Sequence, residues 1–175
     1  AGVVGAGGAG FPTAVKLQAQ VDTVVVNAAE CEPMLKVDQQ LIPRQAARLV
    51  RGLQYAMTAT GAQQGIIALK AKYQAAIDAL TPLLPGHIRL HILPDVYPAG
   101  DEVITLWLAT GRRVAAGALP GSVGVVVNNV QTLLNVARAV EQRWPVTRRT
   151  LTVNGAVARP LTVTVPLGMS LRDVL

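Results

Sequence analysis

The sequence is poor in cysteine, in aromatic residues and in charge. Among its 175 residues it holds 1 cysteine, 3% aromatic residues and 15% charged residues. The single thiol, Cys31, cannot form an internal disulfide and cannot complete a cysteine-based metal site by itself. With so few aromatic residues, the core has to be built from Val, Leu, Ile and Ala, a composition typical of α/β folds with buried parallel strands.

Long hydrophobic runs and blocks of like charge are also missing. No run of about 18 or more apolar residues occurs, so we expect no direct membrane insertion. The formal net charge is +6, but the basic residues are scattered and no aromatic residues alternate with them. This pattern favours a solvated, Arg-rich surface, and we expect no nucleic-acid partner. The positive excess can also offset the phosphates of a bound anionic cofactor.

Hydrophobic periodicity predicts strands that alternate with helices. The predicted strands are residues 24–27, 65–69, 88–93 and 124–128. Helical spacing predicts helices over residues 39–60, 73–84, 102–110 and 130–143. This alternation indicates a Rossmann-like α/β fold, a parallel sheet with helices on both faces. Such sheets bind ligands at the carboxyl ends of their strands.

The composition changes after Trp144. Residues 151–157 and 161–165 predict a strand–turn–strand pair, and Ser170 is placed to cap a following helix. We therefore predict an α/β domain over residues 1–147 and the start of a small β-grasp-like module over residues 148–175. The chain begins inside a motif without an initiator Met and stops within a predicted element, so we expect a fragment of a longer protein.

The first candidate site is the Gly-rich run from Gly5 to Gly10, which fits the spacing G-x-G-x-x-G. Glycines let the backbone approach a phosphate closely and turn its N–H groups toward it. Pro12 suits the first turn of a helix, whose N-terminus adds positive potential, and Lys16 lies about one turn inside. The alternative is a tight loop before a helix, without a ligand.

Polar residues at predicted strand ends supply the second group of candidates. Asn27 ends one strand and Asn128 another, and Glu30 and Glu32 follow the first of them. Such carboxylates can accept from ribose hydroxyls or hold a flavin edge, or they can be ordinary turn residues. Cys31 has no histidine near it in sequence, which favours a small packed residue over a nucleophile.

The loop over residues 97–102 opens a predicted helix and forms the third group. Gly100 permits close approach, Tyr97 can stack on a ring, and Glu102 brings a carboxylate toward the ligand. The alternative is a capped helix start whose acidic residues complement the helix dipole. His87 and His91 lack a third ligand, and we predict no metal site there.

Taken in order, four motifs resemble one family: GGAGFPT at residues 7–13, NAAECEP at 27–33, YPAGDE at 97–102 and NNVQT at 128–132. It is the family of the NADH-binding flavoprotein subunit of respiratory complex I. The RnfC proteins of electron transport and the cobalamin reductases of propanediol utilisation belong to it. Residues 29–40 are most similar to the cobalamin reductases, and the segment from residue 151 resembles the family's soluble-ligand-binding β-grasp domain.

The resemblance implies FMN as the bound flavin and NADH as the hydride donor. It assigns the FMN phosphate or ring edges to Gly5, Gly7, Gly8 and Lys16. The flavin would be lined by Asn27, Glu30, Asn128, Asn129 and Thr132. The nicotinamide nucleotide would face Phe11, Glu32 and Glu102, with Tyr97 beside the ring. Gly100 and Asp101 complete the set of predicted cofactor-binding residues. The chain departs from the complex I pattern at Ala6, Ala19, Ala29 and Asp101.

The resemblance also implies an electron acceptor and a location. The acceptor would be a corrinoid or a corrinoid enzyme, with partner subunits possible, in the cytoplasm and inside a bacterial microcompartment. With one cysteine here, 4Fe-4S clusters are expected in the full-length protein only. The alternatives are an Rnf-type subunit of a membrane electron-transport chain and a non-catalytic module that docks a nucleotide or a corrinoid.

Overall fold

The fold is built on a parallel sheet of four strands. The structure is a computed structural model that describes residues 1–175. The strands are β1 (Thr23–Asn27), β2 (Gln64–Lys70), β3 (Ile88–Leu93) and β4 (Val125–Asn129), in the spatial order β3-β2-β1-β4. All three pairings are parallel. The predicted Rossmann-like sheet is confirmed, and each strand lies within one residue of its predicted bounds.

Helices fill the connections as the periodicity predicted. They are α1 (Thr13–Lys16), α2 (Val37–Thr60), α3 (Gln74–Leu80), α4 (Glu102–Thr110), α5 (Val130–Gln142) and α6 (Leu171–Val174). The bounds of α4 are those predicted. The predicted helix over residues 73–84 instead ends as α3 and continues as a short 3-10 turn at Thr81–Leu83. Pro82 explains the change, because proline has no N–H for an α-helical hydrogen bond.

The two faces of the sheet pack against different helices. Val24 and Val26 of β1 belong to a core cluster shared with α2, α3 and α5. Val25 points the other way, into a smaller cluster with Leu106 and Ala109 of α4. Alternate residues of a strand face opposite sides, so all three valines are buried. Helices on both faces of the sheet are thereby confirmed.

Helix α2 carries a kink that the sequence pattern did not predict. Gln45 has non-helical angles, φ −137° and ψ 26°, two residues after Pro43. A proline inside a helix removes one hydrogen bond and clashes with the preceding turn, which accounts for the bend. Further along, Gly52 lets α2 approach α5 closely, because a Cβ there would overlap the backbone carbonyl of Leu133.

An antiparallel hairpin follows the sheet. It consists of β5 (Arg148–Val153) and β6 (Leu161–Pro166), so the first strand lies earlier than predicted. The Ser170 side chain accepts from the N–H of Asp173, as expected of a helix cap. The domain boundary near residue 148 and the β-grasp assignment stay predictions. None of the helices has both the length and the hydrophobicity needed to cross a membrane.

Candidate functional site

The strand order places a cleft at the carboxyl end of the sheet. Strands β2 and β3 lie on one side of β1, and β4 lies on the other. The chain runs from β1 to β2 on one side and only after β3 crosses to β4 on the other side of β1, and a crevice opens where the strand order reverses in this way. Asn27 and Asn129 are the last residues of these strands and pair across them. A cleft of about 850 Å³ opens there.

All the residues predicted to bind cofactor line this one cleft. They are Gly5, Gly7, Gly8, Phe11, Lys16, Asn27, Glu30, Glu32, Tyr97, Gly100, Asp101, Glu102, Asn128, Asn129 and Thr132. They come from the Gly-rich loop, the ends of β1 and β4, the segment before α2 and the loop before α4. The structure therefore brings the four motifs to one place, while the role of each residue stays a prediction. Neither His87 nor His91 is among the lining residues.

The Gly-rich loop is closed at its base by an antiparallel bridge between Val4 and Pro12. The N–H of Gly5 donates to the carbonyl of Phe11 at 2.8 Å. Two glycines inside the loop have left-handed angles, with φ 127° at Gly8 and φ 64° at Gly10. Because side chains disfavour this region, the loop requires glycine at these two positions.

The top of the loop is anchored while its central N–H groups are left free. The N–H of Ala6 donates to Thr132 Oγ1 at 2.9 Å, and Arg149 donates to the carbonyl of Ala6 at 2.6 Å. The N–H groups of Gly7 and Gly8 donate to no protein group. Backbone donors held in this way are suited to an anion such as a phosphate.

The positive potential beside the loop comes from the side chains of Lys16 and Arg149 rather than from a helix dipole. Helix α1 has 4 residues, too few for a substantial macrodipole, and Pro12 precedes it instead of occupying its first turn. Lys16 Nζ lies 2.7 Å from Glu102 Oε1 and 2.7 Å from the carbonyl oxygen of Val127. The lysine thereby links the loop side of the cleft to β4 and α4. The expected contribution of a helix N-terminus is corrected accordingly.

The loop before α4 is tied to the end of β1. Asn27 Nδ2 donates to the carbonyl of Gly100 at 2.6 Å, and its Oδ1 accepts from the N–H of Ala29 at 3.1 Å. The N–H of Gly100 points at Cys31 Sγ, 3.0 Å away. A Cβ at Gly100 would overlap the carbonyl of Ala29. Cys31 is thus a packing and accepting residue, as favoured from its sequence context.

Two of the predicted carboxylates cap helices. Glu30 Oε1 accepts from the N–H groups of Val37 at 2.6 Å and Asp38 at 3.1 Å, at the start of α2. Asp101 is the N-cap of α4 and accepts from the N–H groups of Val103 and Ile104. The capping alternative left open for residues 97–102 therefore describes Asp101, whereas the cap formed by Glu30 was not among the alternatives drawn from the sequence. Capping fixes the walls of the cleft, because each carboxylate holds the helix that borders it.

Asp38 is a cleft residue that sequence reasoning missed. Its side chain is buried, and its Oδ2 accepts from Asn129 Nδ2 at 2.8 Å. Burial, followed by the nearby Glu30 carboxylate, raises the pKa of Asp38 to about 8. The side chain is therefore mostly a neutral acid at pH 7. No local motif distinguishes it from any acidic residue in a first helical turn, because its burial arises only when α5 packs against α2.

The cleft contains polar atoms that the protein leaves unpartnered. Asn128 Nδ2 and Thr13 Oγ1 are both buried and make no hydrogen bond. A buried polar group without a partner costs about 1–3 kcal/mol, so both atoms favour a polar ligand. Together with the free N–H groups of Gly7 and Gly8, they offer donors to a phosphate and to carbonyl or ring-nitrogen acceptors. This donor set fits FMN.

Comparison with known protein families shows which family this chain belongs to. Residues 1–138 match the model of the Nuo51 FMN-binding domain. The chain belongs to the Nuo51 FMN-binding domain family. The resemblance drawn from the four motifs is confirmed, and the Nuo51 description names the flavin that those motifs implied.

Named relatives of this Nuo51 domain are reductases and parts of electron-transfer complexes. The chain is 83% identical over 175 residues to the cobalamin reductase PduS of Salmonella typhimurium strain LT2 and 81% identical to PduS of Citrobacter freundii. Each alignment covers 100% of this chain and 39% of the relative, so the chain spans well under half of their length. A component of the Na⁺-translocating ferredoxin:NAD⁺ oxidoreductase complex of Acetobacterium woodii is 40% identical over 182 residues, covering 100% of this chain and 41% of that component.

Solved structures agree on the Nuo51 fold. An NAD⁺-reducing NiFe-hydrogenase in its air-oxidized state superposes with a TM-score of 0.84 at 28% identity, over 99% of this chain and 36% of that one. The H2-reduced state gives a TM-score of 0.80 at 27% identity, with the same coverage. The hydrogenase chain therefore shares the architecture described above over 99% of this chain, although the two sequences are only 27–28% identical.

Lys16→Ala is expected to weaken FMN binding by roughly 1–3 kcal/mol, the range for a lost charge-assisted hydrogen bond. The lysine is one of two cations on the loop side of the cleft, with Arg149, and its loss also releases Glu102. Fluorescence titration with FMN measures the effect. Lys72→Ala is the matched control, because Lys72 pairs with Asp95 on the exposed surface outside the cleft. Equal affinities for wild type and Lys16→Ala would remove Lys16 from the flavin site.

Proposed function

We propose that this chain is the FMN- and NADH-binding part of a cobalamin reductase. The observation that carries the proposal is the set of unpartnered donors in the cleft, above all the buried Nδ2 of Asn128 at the end of β4. A Nuo51-type domain and an identity of 83% to PduS support the same activity. When bound, FMN supplies the ability to accept a hydride from NADH and to release electrons one at a time.

The protein groups that would hold the flavin fall into two sets, one for its phosphate and one for its ring system. The free N–H groups of Gly7 and Gly8 and the ammonium of Lys16 bind the phosphate. Asn128 and Thr13 donate to acceptors on the ring system, since both have free buried polar atoms. These assignments require no movement of the loop, because its base and top are already fixed by hydrogen bonds.

The outer part of the cleft suits the nicotinamide nucleotide. Phe11 is 48% exposed and Tyr97 is 79% exposed, so their rings are free to stack on a second ligand. Glu32 is exposed as well and lines the cleft, where its carboxylate can accept from ribose hydroxyls. Hydride transfer needs no protein acid or base, and the side chains act by orienting the two ligands.

The names of the two cobalamin reductases support the choice of electron acceptor. We place a corrinoid, or a corrinoid enzyme, at the end of the electron path, within a bacterial microcompartment. No group of three or more His, Cys, Asp or Glu in the structure could hold a metal ion. The 4Fe-4S clusters that the family resemblance implies would lie in the rest of the full-length protein, since this chain has 1 cysteine.

A second candidate is supported by the Acetobacterium relative. Its identity of 40% and its name favour an Rnf-type subunit whose electrons enter a membrane complex. The cobalamin reductases are about twice as similar, with 83% and 81% identity, which favours the first candidate. A non-catalytic module that docks a nucleotide would use the same free donors and exposed rings, and reduction of the bound flavin by NADH distinguishes it from the first candidate.

Reconstitution tests the proposal. The protein is mixed with FMN, separated from free flavin, and its visible spectrum is recorded before and after anaerobic addition of NADH. We expect a bound-flavin spectrum that bleaches with NADH, and faster reduction of cob(III)alamin by the full-length protein than by free FMN with NADH. A protein that retains no flavin would refute the enzyme assignment. Flavin that bleaches without corrinoid reduction would favour the Rnf-type alternative.

A further inference from the structure

A second cleft lies beside the flavin cleft, on the other side of the contact between Gln131 of α5 and Thr150 of β5. Its volume is about 600 Å³, within the range of small-molecule sites. It is bordered by α2, α5 and residues 144–150, and Gln131 and Thr150 separate it from the flavin cleft by two hydrogen bonds of 3.0 Å. No Asp or Glu lines it, whereas three arginines do: Arg48, Arg138 and Arg148.

Two of these guanidinium groups converge on one neutral oxygen. Gln45 Oε1 accepts from Arg48 Nη1 at 2.7 Å and from Arg138 Nη2 at 3.1 Å. These are the only hydrogen bonds that the protein supplies to either guanidinium. Arg48 Nε is buried and has no partner. Each group carries five N–H donors, so most of the donating capacity of the pair is unused.

No carboxylate is bound directly to either arginine of this pair, although the charge of Arg48 contributes to lowering the pKa of Glu141. Burial, and then the charge of Arg48, lower the pKa of Arg138. Glu141, one turn further along α5, is bound to Arg51 at 2.6 Å and does not line the cleft. An amide oxygen can satisfy one donor from each arginine, but it cannot offset two positive charges held side by side. Gln45 lies at the kink of α2, two residues after Pro43.

We propose that this cleft is a second binding site, for a small oxyanion that bridges Arg48 and Arg138. The planar guanidinium matches the geometry of phosphate and of carboxylate, and an anion between the two groups would use their free donors and balance their charge. Arg148, at the rim, adds a third cation. The intact wall of Gln131 and Thr150 means that this anion and FMN can be bound together.

Calorimetric titration tests the site in the full-length, FMN-saturated protein, with pyrophosphate and citrate as separate probes. We expect one equivalent of at least one probe to bind, and Arg138→Gln to weaken it at least tenfold. Arg143→Gln is the matched control, because it removes the same charge from an exposed residue outside the cleft. Binding of pyrophosphate alone would identify a phosphate site, and binding of citrate alone a carboxylate site. No binding of either probe, or equal weakening by both variants, would overturn the proposal.

Gln45→Glu gives an independent test that does not depend on loss of an arginine. The new carboxylate lies where Gln45 Oε1 now meets both guanidinium groups, so it supplies the anion from within the chain. We expect a higher Tm than wild type and at least a tenfold loss of probe binding. A variant with a lower Tm and unchanged probe affinity would contradict a site between Arg48 and Arg138.

Discussion

We expect Gly100→Ala to destabilise the protein by about 2–3 kcal/mol, toward the upper end of the cost of overpacking, and to weaken FMN binding by more than about tenfold. The reason is space, because the added Cβ would overlap the carbonyl of Ala29 and meet Cys31 Sγ at 2.8 Å. Relief requires the loop before α4 to move away from β1. That movement breaks the 2.6 Å hydrogen bond from Asn27 to the carbonyl of Gly100.

Urea unfolding and FMN titration of the same variant check this expectation. Gly86→Ala is the control, because a Cβ there meets no atom within 4 Å and its backbone is not left-handed. The control should be close to wild type in both measurements. If Gly100→Ala had wild-type stability and wild-type FMN affinity, the contact between this loop and β1 would not hold the wall of the cleft.

Sequence reasoning succeeded where local chemistry determines local structure. The Val-rich strands end in asparagine, and these ends meet in the cleft because the strands are parallel neighbours. The Gly-rich loop could be predicted because left-handed angles at Gly8 and Gly10 leave almost no other residue type possible. Such features are encoded over a few residues, so one sequence is enough to place them.

Features that arise from packing between distant segments were not predictable in this way. The bend of α2 at Gln45 and the burial of Asp38 under Asn129 depend on how α2 meets α5. The cleft residue Arg149 comes from the hairpin, far from every motif in the chain. Glu30 was predicted for its position in a motif, but its use as a cap for α2 became visible only with the helix in place.

The buried acid leads to a prediction about pH. Asp38 is 5% exposed, and its pKa of about 8 lies far above the ordinary aspartate value of 3.8. Burial and the Glu30 carboxylate raise this pKa, while the hydrogen bond from Asn129 and the charge of Arg149 oppose the rise. Between these two pKa values the native state holds a proton that the unfolded state has lost. Stability therefore falls as pH rises through this window, by up to about 1.4 kcal/mol per pH unit.

Asp38→Asn should abolish this contribution. Asparagine has the shape of the neutral acid, its oxygen can accept from Asn129, and it has no charge to bury at any pH. We expect the variant to lose the downward slope of unfolding free energy between about pH 5 and 8, and to be more stable than wild type at pH 8. Urea unfolding across this range measures both effects, with the exposed Asp78→Asn as the control.

Asp38→Asn also tests whether the charge of Asp38 affects FMN binding. Asp38 lines the cleft, so its ionisation above about pH 8 would place a negative charge beside the region assigned to an anionic cofactor. FMN titrations should therefore show wild-type affinity falling between about pH 7 and 9, with a smaller fall in Asp38→Asn. If the two proteins had the same pH dependence in both unfolding and FMN binding, Asp38 would already be ionised at neutral pH. The charge of Arg149 would then have to offset the cost of burying the Asp38 carboxylate.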